Sequence, residues 1–387
     1  MSGHVRVGMN LLWLRPGIVG GSEVAAVSTV DALARSVDAD IELAVYAQDA
    51  FAVSHPDLAE RVGAHTIAIP GGTRGLRVAA ESTWLPWAVR RDRIDVVHGY
   101  GGVVPPRLGR PSVLTIHDLQ PLESGSAFAS TKKAWLARAI PASVARAAAV
   151  AVPSAFVRDR MVDLLGTDLA KIHVVPHGRD AAMTTEPTDL PDAALIRRRF
   201  RLDGPFVLYP AITYPHKNHA TLVRAFAELA RRNDEVTLVL AGGVGACEPD
   251  IGSLIESTGV GSRVRRVGRV TTAERDVLLR EAAVLAFPSR YEGFGLPVLE
   301  AYGVDTPVVA ARAGSLPEVV GDAGVLVDPD DVEAWADALQ AAIDGGQSGA
   351  AATACRAEQA ARFDWDHAAA RLVELYRRAA QTGEHGR

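Results

Sequence analysis

The sequence predicts an α/β protein with two domains, each built on a parallel β-sheet. Short apolar runs rich in β-branched residues alternate with longer amphipathic stretches along the whole chain, as in βαβ units. This alternation begins a second time near Pro205. The chain has 387 residues, of which 48% are hydrophobic, and this is enough for two separate cores.

The first series of elements predicts an N-terminal domain over residues 1–195. Its predicted strands are Val5–Met9, Ile41–Tyr46, His65–Ile69, Ile94–His98, Ser112–His117, Ala148–Pro153 and Ile172–Pro176. Its clearest amphipathic helices are Gly21–Val37, Thr131–Arg146 and Ser154–Leu165. The stretch Ala181–Ala193 is rich in Thr, Asp and Pro and has no periodicity, which predicts the start of the connection between domains.

The second series predicts a C-terminal domain over residues 205–362. Its predicted strands are Phe206–Pro210, Val236–Ala241, Val264–Val267, Val284–Pro288, Pro307–Ala311 and Gly324–Val327. Its predicted helices are Asn218–Arg232, Thr271–Ala282, Pro297–Gly303 and Val332–Ile343. The last segment, residues 363–387, contains a further amphipathic helix over Asp366–Ala380.

Composition excludes several classes of protein. The net charge of −5 disfavours nucleic acid as a partner. Two cysteines far apart in sequence, Cys247 and Cys355, indicate neither a disulfide framework nor a zinc site, which fits a reducing compartment. The first residues lack a signal-peptide pattern, and no apolar run is long enough to span a bilayer. We therefore expect a cytoplasmic protein.

The most informative stretch is Glu292-Gly-Phe-Gly-Leu-Pro-Val-Leu-Glu300. It follows the apolar run Ala283–Ser289 and precedes a helix in which Pro297 suits the first turn. Glycines in the loop allow close backbone approach, and the helix N-terminus offers free N–H groups. This arrangement suits a phosphate flanked by rings whose hydroxyl groups donate to Glu292 and Glu300. A solvated loop glutamate and a helix-start glutamate are the simpler alternative.

Lys217 lies in the loop that follows the first strand of the second domain, just before a helix. A lysine at a helix N-terminus opposes the helix dipole unless an anion is bound there. The conflict favours a phosphate contact over an ordinary surface lysine.

Two features of the first domain also follow strands. His117 ends the run Ser112–His117, where an imidazole can bind a substrate hydroxyl or carry a proton; a structural pair with Asp118 is the alternative. Gly20 and Gly21 open the first helix and favour ligand contact and simple turn geometry about equally.

The chain resembles the retaining glycosyltransferases of the large family that includes sucrose synthase-like enzymes and bacterial mannosyl- and rhamnosyltransferases. The resemblance covers nearly the whole chain, and the Glu292–Glu300 motif is its most specific part. The other matching blocks are His117-Asp118, Val152–Arg158, Val174–Gly178, His216–Asn218 and Phe363–Trp365.

The resemblance implies a GT-B fold, in which two Rossmann-like domains face each other across a cleft, and a nucleoside-diphosphate-sugar substrate with no cofactor or metal. The final helix is expected to cross back to the first domain. Glu292 is expected at the donor sugar hydroxyls, Glu300 at the ribose and Lys217 at the diphosphate. His117 is expected to line the reacting face of the sugar, and it forms the expected catalytic set with Lys217 and Glu292. The remaining expected donor contacts are Gly20, Gly21, Gly293, Phe294, Gly295 and Leu296.

The chain departs from the family pattern at two places. Relatives commonly carry an arginine five or six residues before the lysine, where this chain has Ile212 and Ala211. Either Lys217 acts alone on the diphosphate, or His216 or another basic residue replaces that arginine. His177 stands where many relatives have asparagine.

The predicted function is transfer of a sugar, with retention of configuration, to an acceptor hydroxyl. The mannose or rhamnose type of donor is a guess from the Pro-His-Lys-Asn resemblance. The acceptor could be a glycan, a lipid-linked glycan or a small molecule. The basic clusters Arg197–Arg199 and Arg263–Arg266 leave peripheral membrane contact at the inner face open. The alternatives are a nucleotide-sugar epimerase, a non-catalytic nucleotide-sugar binder and a weaker NAD-dependent oxidoreductase, whose GxGxxG motif is missing. The sequence carries no signal for oligomeric state.

Overall fold

The computed structural model describes residues 4–17, 20–36, 40–69, 73–123, 130–179 and 190–384. Contacts divide the chain into two units. Unit 1 comprises Met1–Gly178 and Asp364–Arg387, and unit 2 comprises Arg179–Phe363.

Unit 1 is built on a seven-stranded sheet in which all neighbouring strands are parallel. Its strands are β1 (Val5–Asn10), β2 (Ile41–Gln48), β3 (His65–Ile67), β4 (Val96–Gly99), β5 (Ser112–Thr115), β6 (Ala149–Val152) and β7 (Ile172–Val174). Its helices up to residue 178 are α1 (Gly21–Arg35), α2 (Asp49–Ser54), α3 (Pro56–Arg61), α4 (Arg74–Ser82), α5 (Trp84–Arg91), α6 (Ser130–Arg146) and α7 (Ala155–Leu165).

Unit 2 is built on a six-stranded parallel sheet. Its strands are β8 (Phe206–Tyr209), β9 (Thr237–Leu240), β10 (Val264–Arg266), β11 (Val284–Phe287), β12 (Val308–Ala311) and β13 (Val325–Val327). Its helices are α8 (Ala193–Phe200), α9 (His219–Arg232), α10 (Glu248–Ser257), α11 (Thr272–Glu281), α12 (Leu296–Gly303), α13 (Leu316–Val320), α14 (Val332–Ile343) and α15 (Ala350–Ala361).

The strand order places the functional loops. The strand orders are β3-β2-β1-β4-β5-β6-β7 and β10-β9-β8-β11-β12-β13. In each sheet, the direction in which successive strands are added reverses once, between β1 and β4 and between β8 and β11. In open parallel sheets, the carboxyl ends of the strands beside such a reversal form the binding crevice. The central strands are buried on both faces, which is why they are continuous apolar runs.

The last helix, α16 (Trp365–Glu384), completes the core of unit 1. It packs against α1 and the strands of the first sheet. Its Tyr376 hydroxyl is hydrogen-bonded to Nδ1 of the fully buried His98, at 2.7 Å, and Nε2 of His98 lies 2.8 Å from Thr115 Oγ1.

All thirteen predicted strands are present within two residues of their predicted bounds. The predicted helices are present as well, but eight others were missed, namely α2, α3, α4, α5, α8, α10, α13 and α15. Most of the predicted connection Ala181–Ala193 lies outside the described residues, and its last residue begins α8.

Candidate functional site

Two loops of unit 2 meet beside the reversal of strand order between β8 and β11. One follows β8 and carries residues 210–218, and the other follows β11 and carries residues 288–295. The Arg290 amide donates to the His216 carbonyl at 2.8 Å, which joins the loops directly. The buried Tyr209 hydroxyl, at the end of β8, donates to the Lys217 carbonyl at 2.6 Å and lies 3.1 Å from Ser289 Oγ.

Asn218 also stabilises the junction of these two loops through its side chain. It adopts a left-handed conformation with φ +55° and directly precedes α9, but its side chain does not cap that helix. Instead its amide group donates to the carbonyls of Pro288 and Pro329, at 3.1 and 2.7 Å. Thr221 Oγ1 donates to Asn218 Oδ1 at 2.8 Å. Asparagine tolerates this backbone conformation. Asn218 can therefore both end the loop after β8 and bind the loop after β11.

Lys217 and Glu292 are brought together by this junction. Lys217 Nζ lies 2.6 Å from Glu292 Oε1, and the two side chains are only 20% and 14% exposed. The pair joins the side chain predicted at the diphosphate to the side chain predicted at the sugar. An ammonium group so placed needs a counter-ion, and in the absence of a ligand anion Glu292 supplies it.

The glycine loop is held by the loop after β12. Ser315 is fully buried, and its hydroxyl donates to the carbonyls of Glu292 and Phe294 at 3.0 and 2.6 Å. Its amide also donates to the Glu292 carbonyl, at 3.2 Å. Gly295 has φ +121° and directly precedes α12, where a side chain would meet Leu316 at 2.9 Å. Glycine is therefore required there by the backbone, whatever its role towards a ligand.

Glu300 lies on α12 and is 6% exposed. Its Oε1 lies 3.1 Å from Nη1 of Arg275, on α11. Sequence reasoning did not single out Arg275, because the arginine and the glutamate come together only when α11 and α12 pack. Leu296, the first residue of α12, is 9% exposed and contributes mainly to the core.

At Ala211 and Ile212, where relatives commonly carry an arginine, the backbone packs closely against a neighbouring loop. A side chain at Gly242, in the loop after β9, would overlap the Ala211 carbonyl, so that loop lies directly against Ala211. His216 does not replace the positive charge of that arginine. Burial, assisted by the neighbouring Lys217, lowers the pKa of His216 to about 4, so its imidazole is neutral near pH 7.

His117 follows β5 in unit 1 and is held in one tautomer. Its Nε2 lies 3.0 Å from the Tyr100 carbonyl, which can only accept, so Nε2 carries the proton. Nδ1 is then an acceptor, and it has no hydrogen-bond partner among the described residues. Burial lowers the pKa of His117 to about 4, against the opposing effect of the Tyr100 carbonyl. A neutral His117 can accept a hydrogen bond from a hydroxyl group. Asp118, the next residue, accepts from the Gln120 amide through its Oδ1, at 2.9 Å.

Trp13 lies beside His117 and was missed by sequence reasoning. Its ring centroid is 6.4 Å from that of His117, and its buried Nε1 has no hydrogen-bond partner within the described part of the chain. Gly101 makes room for the indole, because any side chain there would overlap it. A donor on Trp13 thus accompanies the acceptor on His117. The position of Trp13 just after β1 was the available signal.

Gly20 and Gly21 differ in why they are glycine. Gly20 has φ +65° at the start of α1, so its turn alone demands glycine. Gly21 has ordinary helical geometry, and no described atom lies within 4 Å of the Cβ that a side chain would place there. Open space beside Gly21 agrees with access for a ligand. Glu23 braces this loop by accepting from the Gly17 amide at 2.7 Å.

The described residues contain no group of three or more His, Cys, Asp or Glu side chains arranged to hold a metal ion. Among the helices within those residues, none is both long and apolar enough to cross a bilayer.

Two Rossmann-like parallel-sheet units with charged loops at the strand reversals define the GT-B class, and solved structures share this fold. HepE from Anabaena in complex with UDP and glucose superposes with a TM-score of 0.74 at 21% identity, covering 96% of this chain and 99% of that one. Sucrose-phosphate synthase from Thermosynechococcus elongatus also gives 0.74, at 22% identity, with 96% and 98% covered.

Sequence comparisons identify the family. The family models "Glycosyltransferase Family 4" and "Glycosyl transferases group 1" match residues 19–182 and 204–344. A D-inositol 3-phosphate glycosyltransferase from a Nocardioides strain is 30% identical over 378 residues, covering 90% of this chain and 81% of the relative. The chain belongs to the group 1 glycosyltransferases of GT-B fold.

Other relatives match shorter regions. The D-inositol 3-phosphate glycosyltransferase from Xylanimonas cellulosilytica is 38% identical over 231 residues, which are 57% of this chain and 54% of the relative. The chain thus spans about half the length of that relative. The O-antigen chain mannosyltransferase B from Escherichia coli is 27% identical over 293 residues, which are 75% and 76% of the two chains.

Proposed function

We propose that this protein transfers a sugar from a nucleoside-diphosphate-sugar to an acceptor hydroxyl, with retention of anomeric configuration and without a metal ion. The observation that carries the proposal is the Lys217–Glu292 pair, held by the loops after β8 and β11 at the reversal of the sheet. The pair offers a cation for a diphosphate and a carboxylate for sugar hydroxyls in one place.

Donor binding is proposed to exchange partners within this pair. The diphosphate replaces Glu292 as the counter-ion of Lys217, and Glu292 turns to the sugar hydroxyls. Glu300 then accepts from the ribose hydroxyls, and Arg275 holds its carboxylate in position. The amides of Gly293, Phe294 and Gly295 face the sugar and phosphate. The ammonium group of Lys217 therefore has a counter-ion at every stage, first Glu292 and then the diphosphate.

The transfer itself needs charge stabilisation more than a protein base. As the bond from the anomeric carbon to the phosphate oxygen breaks, Lys217 and the N-terminal amides of α12 stabilise the developing negative charge. The acceptor hydroxyl attacks the same face of the sugar, and the departing phosphate oxygen takes its proton. His117 Nδ1 is proposed to orient hydroxyl groups. Gly20 and Gly21, at the start of α1, are proposed to leave room for the ligand. The names of the relatives support a mannose-type donor and a phosphorylated polyol or glycan acceptor.

Substitution of Lys217 tests the proposal. Lys217→Ala should lower kcat about 100- to 1,000-fold, as expected for removal of one electrostatic contact to the transition state, while thermal unfolding changes little. Lys217→Arg should recover part of the loss because it keeps the charge. The control is Arg231→Ala, which removes an exposed cation from α9. Near-normal transfer by Lys217→Ala would contradict the assigned role.

Glu300 provides a separate test of donor binding. Glu300→Ala should raise the donor KM about tenfold or more, with a smaller change in kcat, because hydrogen bonds to a charged group contribute about 1.5–3 kcal/mol. Arg275→Gln should raise KM in the same direction. If Arg275 acts through Glu300, the double variant should lose less than the sum of the two single effects.

Product analysis separates the alternatives. The proposed enzyme releases nucleoside diphosphate only when an acceptor is present, gives a product with the anomeric configuration of the donor, and keeps its activity in EDTA. Conversion of the donor sugar without an acceptor would indicate an epimerase, and tight donor binding without turnover would indicate a binding protein. A donor screen should include GDP-mannose, a nucleotide-rhamnose and UDP-glucose.

A further inference from the structure

A second polar cavity lies in unit 1, lined by residues of α7, β7 and α16. Its volume is about 330 Å³. Its wall carries three guanidinium groups, one imidazole and one carboxylate, from Arg158, Arg371, Arg378, His173 and Glu374. None of these residues belongs to the loops described above. The volume is that of a small organic ligand.

The arginines of α16 are placed by helical spacing. Arg371, Leu375 and Arg378 lie four and three residues apart, so they share one face of the helix. Leu375 is 3% exposed and anchors that face on the core. Arg371 Nη1 donates to the Val174 carbonyl at 2.9 Å, on the edge strand β7. One arginine thus covers the strand edge, while Arg378 stays 65% exposed beside the cavity.

Positive charge exceeds negative charge in this wall. Arg378 lies 3.9 Å from Glu374, and both side chains are 65% exposed, so this pair is weak. Arg158 contacts Asp159 at 2.8 Å, but Asp159 is not part of the wall. Burial, and to a smaller extent the nearby Arg378, lower the pKa of His173.

Four apolar residues also line the cavity, and we refer to them as its apolar floor: Ile172, Val174, Val175 and Leu375. Guanidinium groups bind phosphate through charge-assisted, directed hydrogen bonds, and an apolar floor favours an attached organic group. An anion with an apolar portion complements this combination better than a bare sugar does.

We propose that this cavity binds a phosphate ester, with Arg158, Arg371 and Arg378 as donors to the phosphate and the apolar floor against its organic part. The phosphate can come from a soluble phosphate ester or from the headgroup of an anionic lipid, because both present the same chemistry. The site is independent of the proposed donor site, so its failure would leave the proposed glycosyl transfer untouched.

Titration of the intact protein with two probes tests the site. The first is sn-glycerol 3-phosphate, followed by the NMR signals of His173. The second is a vesicle of phosphatidylglycerol, with phosphatidylcholine vesicles as the uncharged comparison, followed by co-sedimentation. Binding of the soluble ester should shift the His173 signals and raise its pKa, because the bound anion offsets the field of Arg158, Arg371 and Arg378 and adds to that of Glu374. Binding to phosphatidylglycerol alone would identify the lipid source.

Matched variants decide whether binding uses this cavity. Arg378→Ala and Arg158→Ala should each weaken binding about tenfold, as expected for one charge-assisted contact, and the loss should shrink at high salt. Arg377→Ala is the control, because it removes the same charge one position away on α16 and outside the wall. The exposed Arg378 can be replaced without unfolding the chain, which a melting curve verifies. Absence of binding to both probes, or equal losses in the Arg377 and Arg378 variants, would overturn the proposal.

Discussion

At the scale of single residues, the positions of protons decide what the candidate site can do. His117 could have been a proton carrier or a hydrogen-bonding group. The structure favours the second, because Nε2 donates to the Tyr100 carbonyl and burial lowers the pKa of His117 to about 4. A group with that pKa is almost entirely neutral at pH 7, so it accepts hydrogen bonds rather than delivering protons.

Replacement of His117 tests this assignment. His117→Leu should reduce kcat/KM about tenfold or more, because a hydroxyl loses its acceptor. His117→Gln should recover part of the activity, since its amide nitrogen can donate to Tyr100 while its oxygen accepts. For the unsubstituted protein, the part of kcat/KM that depends on His117 should stay constant from pH 8 down to about pH 5 and fall as pH drops through about 4. A fall centred near pH 6.5 that disappears in His117→Gln would contradict the neutral state.

At the scale of elements, the loops of unit 2 support one another through side chains that do not face a ligand. Ser315 has this role most clearly, because one hydroxyl and one amide bind the carbonyls on either side of Gly293. With those carbonyls bound on this side, the orientation of the glycine loop is restricted. Tyr209 and Asn218 restrict the loop after β8 in the same way.

Ser315→Ala should therefore reduce activity through the loop. The buried Phe294 carbonyl loses its 2.6 Å contact, which costs about 1–3 kcal/mol, and Glu292 becomes less well positioned. We expect lower kcat and faster hydrogen exchange at residues 293–295. Ser253→Ala is the control, because its hydroxyl bonds a carbonyl on the exposed surface of α10. Unchanged exchange in the loop together with unchanged kcat would show that Ser315 does not restrict it.

The sequence predicted strands better than helices, for a physical reason. Buried parallel strands are continuous apolar runs, and no other element competes with that pattern. Helices such as α3 and α10 are short and bury only two residues each, so their apolar pattern is too brief to stand out in the sequence. Chemistry-bearing loops were predicted because they follow strands. Trp13 and Arg275 were not recognised as parts of the site, because their contacts join segments distant in sequence.

At the scale of the molecule, unit 1 is closed by a helix from the far end of the chain. Tyr376 on α16 reaches His98 across 278 residues of sequence, a contact that periodicity cannot predict. His98 belongs to a chain of rings that also includes Tyr100, His117 and His177, with successive centroids 4.8–5.5 Å apart. His177 in turn lies 5.4 Å from Trp365, the first residue of α16. The buried imidazoles of His98 and His177 and the partly buried imidazole of His117 thus lie together in unit 1.

This cluster predicts that unit 1 loses stability in mild acid. Burial lowers the pKa of His98 to about 3 and that of His117 to about 4, and it lowers the pKa of His177 in the same direction. The unfolded chain, with histidine near 6.5, binds more protons than the folded chain between about pH 6.5 and 4, so the free energy of unfolding decreases as pH falls through that window. Between pH 7 and pH 5, His98 and His117 should each lower the free energy of unfolding by about 2 kcal/mol. Five of the six tryptophans lie in unit 1, so tryptophan fluorescence in urea follows this unit.

His98→Phe tests this prediction. The variant should be less stable at pH 7, because Tyr376 and Thr115 lose a partner. Its loss of stability between pH 7 and pH 5 should be smaller by about 2 kcal/mol. His367→Gln, at an exposed position on α16, is the control and should keep the pH dependence of the original chain. An equally steep pH dependence in His98→Phe would show that His98 is not held neutral in the folded protein.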